Sequence, residues 1–300
     1  MEKDNNVKVC VTGGSGYLGS WLIKKLLEKG YIVHATSRNL GENLKTGLLK
    51  SLPNAETRLK LFQADIYNPQ EFEPAIEGCQ YVLHLATPKS HTQNSKYKDT
   101  SEAAIGGVRS IADCCLRSES VKRLVYTSSV MAASPLKEDG SGYKPQMDEL
   151  CWTPLNLSYT YSNDYMLDYT KSKASSEKAI LSYNNNNNNI EADKRELEVV
   201  SLACALVGGE TLVSNLSASL ACMLSQLTGD KIGLQALRFL QELLGSIPLV
   251  HVDDVCEAHI FCMEKPSLKG RFLCVAESTI IQDMANCYQE FQPESQIPQG

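Results

Sequence analysis

The segment Thr12-Gly-Gly-Ser-Gly-Tyr-Leu-Gly19 constrains this chain most, because it joins a buried strand to a helix. Val7–Thr12 is an apolar, β-branched run. Leu18, Leu22 and Leu26 then recur at helical spacing until Gly30. Between them stand Gly13, Gly16 and Gly19, three residues apart. Glycine permits the tight turn and lets a pyrophosphate approach the backbone, and the free N–H groups of a helix start bind the anion. With a strand before it and a helix after it, the segment reads as a dinucleotide-binding turn, with Tyr17 and Leu18 opening the helix beside the glycines.

The same alternation continues. Strands are expected at Tyr31–Thr36, Lys60–Ala64, Tyr81–Ala86, Leu124–Ser128 and Val199–Val207, with helices near Pro69–Ile76, Ser101–Arg117 and Tyr165–Tyr183. This spacing implies an α/β fold, a Rossmann-type doubly wound parallel sheet with helices on both faces. Past Gly208 the alternation weakens. The expected division is a dinucleotide-binding domain over 1–207, rejoined by 248–265, and a smaller C-terminal substrate lobe over 208–247 and 266–300. Asn184–Asn189, six asparagines between a helix and a strand, is expected to be a flexible surface loop.

A chain of 300 residues can bury the core of such a fold, and 43% hydrophobic with 21% charged residues is ordinary for a soluble protein. A net charge of −6 leaves no electrostatic footprint for nucleic acid or an anionic membrane, so the expected partner is a small molecule. The eleven cysteines are scattered through apolar runs without a Cys-x-x-Cys pair, which points to reduced, buried thiols. The polar start and the lack of a long apolar run fit a cytoplasmic enzyme. Whether it is a monomer or a dimer does not follow from the residues.

Three further places in the chain carry chemistry. After the second strand an acid would bind a ribose 2′-hydroxyl, but the chain has Arg38, which can pair with a 2′-phosphate; Lys45 offers a second charge. The cofactor expected is therefore NADPH/NADP. Tyr169 and Lys173 stand four apart on one helix face, where an ammonium is expected to lower the phenol's pKa and ready it for proton transfer. Ser129, at the end of the fifth strand, can hydrogen-bond a substrate carbonyl, while Ser128 suits the capping of a turn.

These motifs, together with Asp65-Ile66, Ala86-Thr87 and His251-Val-Asp-Asp-Val255, occur in an order that resembles the plant reductases of the extended short-chain dehydrogenase/reductase family. That group holds dihydroflavonol, anthocyanidin, vestitone and cinnamoyl-CoA reductases. The resemblance implies NADPH-dependent reduction of a plant phenolic, with Ser129, Tyr169 and Lys173 catalytic. It further implies Asp65 and Ile66 beside the adenine, Ala86 and Thr87 along the dinucleotide, and Lys173 on the nicotinamide ribose. It makes His251–Asp254 a structural helix start, capped by Asp253 or Asp254, with no metal site. Ser134 stands where dihydroflavonol reductases carry a substrate-reading asparagine, and Leu167-Asp168 where cinnamoyl-CoA reductases carry Asn-Trp. The segment Ala236–Met263 looks nearest to anthocyanidin reductase-like sequences. The chain stops at Gly300 where relatives run on, so truncation or a reduced substrate lid is expected. The competing readings are a nucleotide-sugar epimerase or dehydratase of the same fold, and a non-catalytic NADP-binding protein; Arg38 disfavours the first and the intact Ser129, Tyr169 and Lys173 the second.

Overall fold

The computed structural model describes residues 6–88, 95–189, 196–293 and 297. In chain order, β1 (Lys8–Thr12), β2 (Ile32–Ser37), β3 (Leu59–Gln63), β4 (Tyr81–His84), β5 (Arg123–Ser129) and β6 (Glu198–Cys204) are joined by β9 (Gly270–Cys274) in one sheet. Its order is β3-β2-β1-β4-β5-β6-β9, and every pairing is parallel. Strand alternation sorts the core into two. Val9, Val11, Val125 and Val200 face one side, with Leu22, Ile23 and Leu26 of α1 (Tyr17–Glu28) and Val255 and Ile260 of α9 (Val252–Glu264). Cys10, Val82, Leu124 and Val199 face the other, with Ile111 of α5 (Thr100–Arg117) and Ile180 of α6 (Asp164–Leu181). The period of two along a strand thus buries both faces of the sheet.

The chain order reverses beside β1, which has β2 on one side and β4 on the other. A crevice opens at the carboxyl ends of strands at such a point. Thr12 fixes its floor: the Thr12 hydroxyl oxygen accepts from the Leu85 and Ala86 amides at 3.0 and 3.1 Å and pairs with His84 Nδ1 at 2.7 Å.

The run Val199–Val207 is two strands rather than one. After Cys204 the chain leaves the sheet, and β7 (Leu206–Gly208) pairs with β8 (Ile247–His251), which pairs antiparallel with β10 (Glu277–Thr279). Both halves are equally apolar, so hydropathy hides the break at Ala205. The expected domain limits also need correction. Gly270–Cys274 lies in the central sheet, not in the lobe, because β9 completes the hydrogen bonding of β6. Within 248–265, α9 packs on the central sheet, whereas β8 belongs to the small one.

The small sheet is joined by α7 (Ala218–Thr228), α8 (Lys231–Leu244) and α10 (Ile281–Phe291). α7 and α8 carry side-chain caps, Ser217 and Asp230, and end at left-handed Gly229 and Gly245. At α9 the cap is His251, whose Nδ1 accepts the Asp253 amide at 3.2 Å. Asp253 instead accepts from Trp21 Nε1 and pairs with Lys25, each at 2.7 Å, which pins α9 to α1.

The asparagine run is not the loop expected over its described part. Ser182–Asn189 winds on from α6 as a 3-10 stretch. The Asn184 amide takes both backbone groups of Val199, at 2.8 and 2.9 Å, at the start of β6. Residues 190–195, the rest of the connection, lie outside the described residues. All eleven cysteines are free, and only Cys222 and Cys287 are not buried. Among the described residues, no helix is long and apolar enough to cross a membrane.

Candidate active site

A cavity of about 1130 Å³ runs over the carboxyl ends of the strands from the glycine turn to α8. At one end the three glycines serve three purposes. Gly13 holds φ +69°, which glycine adopts without strain. Gly16 is the N-cap of α1, and a Cβ on it would meet nothing nearer than 3.4 Å, so the space over the helix start is open for a ligand. Gly19 is buried and does not line the cavity. A Cβ there would stand 2.3 Å from the Gly13 carbonyl oxygen, so it lets the helix sit close to the turn rather than touching a cofactor. No side chain caps α1 and no acid stands in its first turn, so the helix start presents its N–H groups and positive dipole end to an anion. These features fit a dinucleotide pyrophosphate. Tyr17 and Leu18 line the same end, but the Tyr17 hydroxyl turns away, donating to the Gly208 carbonyl at 3.0 Å.

Arg38 is exposed at the cavity edge beside Ser37, whose hydroxyl donates to Ser15 Oγ at 3.0 Å. Lys45 lines it too, but its charge is already engaged by Glu42 at 2.5 Å. The Lys45 and Arg38 charges hold the Glu42 carboxyl below its ordinary range. Ile66, Ala86 and Thr87 line the cavity; Asp65 does not. Its carboxylate accepts the Tyr67 amide at 3.0 Å and so closes its own turn.

At the chemical end, α6 begins at the Asn163 cap and brings Tyr169 and Lys173 onto one face over the end of β5. Lys173 is buried and donates to Thr87 Oγ1 at 2.9 Å and to the Thr127 carbonyl at 3.0 Å. Its ammonium lies 6.0 Å from the centre of the Tyr169 ring. The Ser129 side chain lies near enough to the Tyr169 hydroxyl to pull its pKa down, and both line the cavity. Thus Ser129, Tyr169, Lys173 and Thr87 converge at one point of the cavity.

The electrostatics differ from expectation. Burial pushes the Tyr169 phenol up to about 12, against the smaller downward pull of Ser129. Burial also pulls the Lys173 ammonium down to about 8, although Cys204 and Glu177 oppose this. In the protein alone desolvation outweighs the expected help of the ammonium to the phenolate. The capping expected of Ser128 falls to Ser129, which lines the cavity as well. Ser129 Oγ accepts the Met131 amide at 3.2 Å and caps the short turn Val130–Ala132, while Ser128 is the buried one.

The remaining wall was not legible in the sequence. Met131, Tyr165, Leu206, Leu212–Ser217, Ala236 and Phe239 supply it from four separate parts of the chain. Ser134 is absent from it: buried, it donates to the Leu243 carbonyl and accepts the Leu136 amide. Leu167 and Asp168 are exposed outside it. Thr36, Ser15 and Glu42 were missed as well; Ser15 stands within the glycine turn itself, whereas the nearness of Thr36 to that turn follows only from the pairing of β1 with β2.

The NAD dependent epimerase/dehydratase family model matches residues 9–273. A Ginkgo biloba protein, provisionally named an anthocyanidin reductase, is 39% identical over 97% of this chain and 82% of its own length. Dihydroflavonol 4-reductase of Gerbera hybrida is 35% identical, covering 99% of this chain and 76% of its own. The crystal structure of vestitone reductase from alfalfa superposes with a TM-score of 0.75 at 32% identity, over 97% of this chain and 84% of that one. With its glycine turn, seven-stranded parallel sheet and Tyr169–Lys173 face, this chain belongs to the NAD dependent epimerase/dehydratase family.

Proposed function

We propose that this protein is an NADPH-dependent reductase of a flavonoid-type phenolic, acting at a carbonyl or an equivalent conjugated centre. The observation that carries this is the convergence of Ser129, Tyr169 and Lys173 in one cavity whose other end is an uncapped helix start beside Arg38. Its relatives include anthocyanidin and dihydroflavonol reductases, and a wall of leucine, valine, methionine and aromatic side chains suits a flat aromatic substrate.

NADPH, when bound, supplies a hydride. Gly13, Gly16 and the first amides of α1 would hold its pyrophosphate, and Arg38 would pair with its 2′-phosphate. Ile66 and Ala86 would line its path, and Lys173 with Thr87 would secure the nicotinamide end. Ser129 orients the substrate oxygen. Tyr169, kept protonated by burial, donates its proton to that oxygen. A neutral phenol is the form a reduction needs, so the upward shift serves this direction. Lys173 places positive charge beside the phenol as it becomes a phenolate. The buried thiols fit a reducing cytoplasm.

The deciding experiment is a panel of anthocyanidins, dihydroflavonols, isoflavanones and cinnamoyl thioesters with NADPH, with product identification. Turnover of one of the first three supports the reading. Turnover of none, with a nucleotide sugar interconverted instead, overturns it.

A further inference from the structure

We propose that Tyr17 is a positioning residue that ties the dinucleotide seat to the substrate wall, so that filling the first orders the second; this rests on the reading of the cavity given above. Tyr17 is the first residue of α1, so its backbone belongs to the helix start that faces the anion. Its side chain reaches elsewhere. The hydroxyl donates to the carbonyls of Gly208 and Gly209, at 3.0 and 3.3 Å, across 191 residues of chain. Gly208 ends β7, and just beyond it Leu212–Ser217 lines the substrate half of the cavity.

A second fastening meets the same root. Gly209 holds φ +105°, and a Cβ on it would lie 2.4 Å from His251 Nε2. His251 caps α9 and stands 3.3 Å from the Glu210 carboxylate. The segment that carries the wall is therefore held between the starts of two helices. One of these, α1, is the seat of the cofactor's charge. An anion gripped by the first turn of α1 restrains the Tyr17 backbone, and the hydroxyl passes that restraint to Gly208 and Gly209. Burial pushes the phenol up to about 12, so it remains a donor at working pH. By linkage, a ligand held against the wall must tighten NADPH by the same factor.

The test is amide hydrogen exchange of residues 209–217, with and without saturating NADPH, in the unmodified chain and in Tyr17→Phe. The substitution keeps the ring and the backbone amide and removes only the hydroxyl. In the unmodified chain NADPH should slow exchange of this segment about fivefold, the worth of one neutral hydrogen bond. In Tyr17→Phe that gain should vanish, while the NADPH dissociation constant stays within about twofold, because the amide rather than the hydroxyl faces the anion. Were the hydroxyl purely structural, its removal would raise exchange equally with and without NADPH. Equal protection by NADPH in both proteins, or none in the unmodified chain, overturns the proposal. So does loss of NADPH binding in Tyr17→Phe, which would place the hydroxyl in the cofactor seat. None of these readouts needs turnover, so failure of the flavonoid reading and failure of the latch are distinguishable.

Discussion

Titrating kcat/KM from about pH 6 to about pH 11 at saturating NADPH separates the two ionisable groups of the proposed chemical centre. Burial drives them apart in opposite senses, Tyr169 up to about 12 and Lys173 down to about 8. Tyr169 therefore stays a proton donor across the whole range. Lys173 does not keep its charge. Above its midpoint the charged fraction falls about tenfold per pH unit, so activity should be near half its plateau at about pH 8 and near a tenth at about pH 9. Lys173→Arg, which cannot lose its proton, should abolish this alkaline limb even if it lowers the plateau. The same shift acts on stability. The folded-state value lies below the ordinary 10.5, so the unfolded chain binds this proton more tightly than the folded one. The burial of the charge then costs about 3 kcal/mol below about pH 8, and the cost is relieved between about pH 8 and about pH 10.5. Urea unfolding across that window should show the unmodified protein gaining stability relative to Lys173→Met. A profile flat to about pH 10 would refute the assignment of Lys173 as the charge that matters.

Tyr169→Phe should lower turnover by about 10²–10⁴-fold, the usual contribution of general acid catalysis, with NADPH affinity retained in a fluorescence titration. Arg38→Asp should weaken NADPH by about 1.5–3 kcal/mol and leave NADH little changed, read by titrating both cofactors. Equal affinities of the unmodified protein for the two would contradict the role of Arg38. Gly19→Ala places a methyl 2.3 Å from the Gly13 carbonyl, backbone against backbone, so the melting temperature and NADPH affinity should both fall. The overpacking alone costs about 1–3 kcal/mol. Asn184→Ala should destabilise by about 1–3 kcal/mol because two backbone groups of Val199 lose their partner, whereas deleting Asn185–Asn188 should change the melting temperature little.

The sequence by itself determined what local spacing determines. Glycines three apart between a strand and a helix can only be a turn that bares a helix start, and residues four apart on a helix share a face. Hence the glycine turn, Arg38 after β2, and the Tyr169–Lys173 pair were all readable along the chain. Tertiary structure alone decided the rest. The apolar run Val199–Val207 does not say that it divides between two sheets, since that depends on Leu249 and Gly270 arriving beside it. Lys45 read as a free charge until Glu42 was seen against it. Ser134 stands where some relatives carry a substrate-reading asparagine, and only the structure shows its hydroxyl taken by the Leu243 carbonyl. The direction of the Tyr169 shift was beyond the sequence for the same reason. Spacing reports which ammonium is near, but the larger effect is desolvation, and that depends on how the whole chain packs around the phenol.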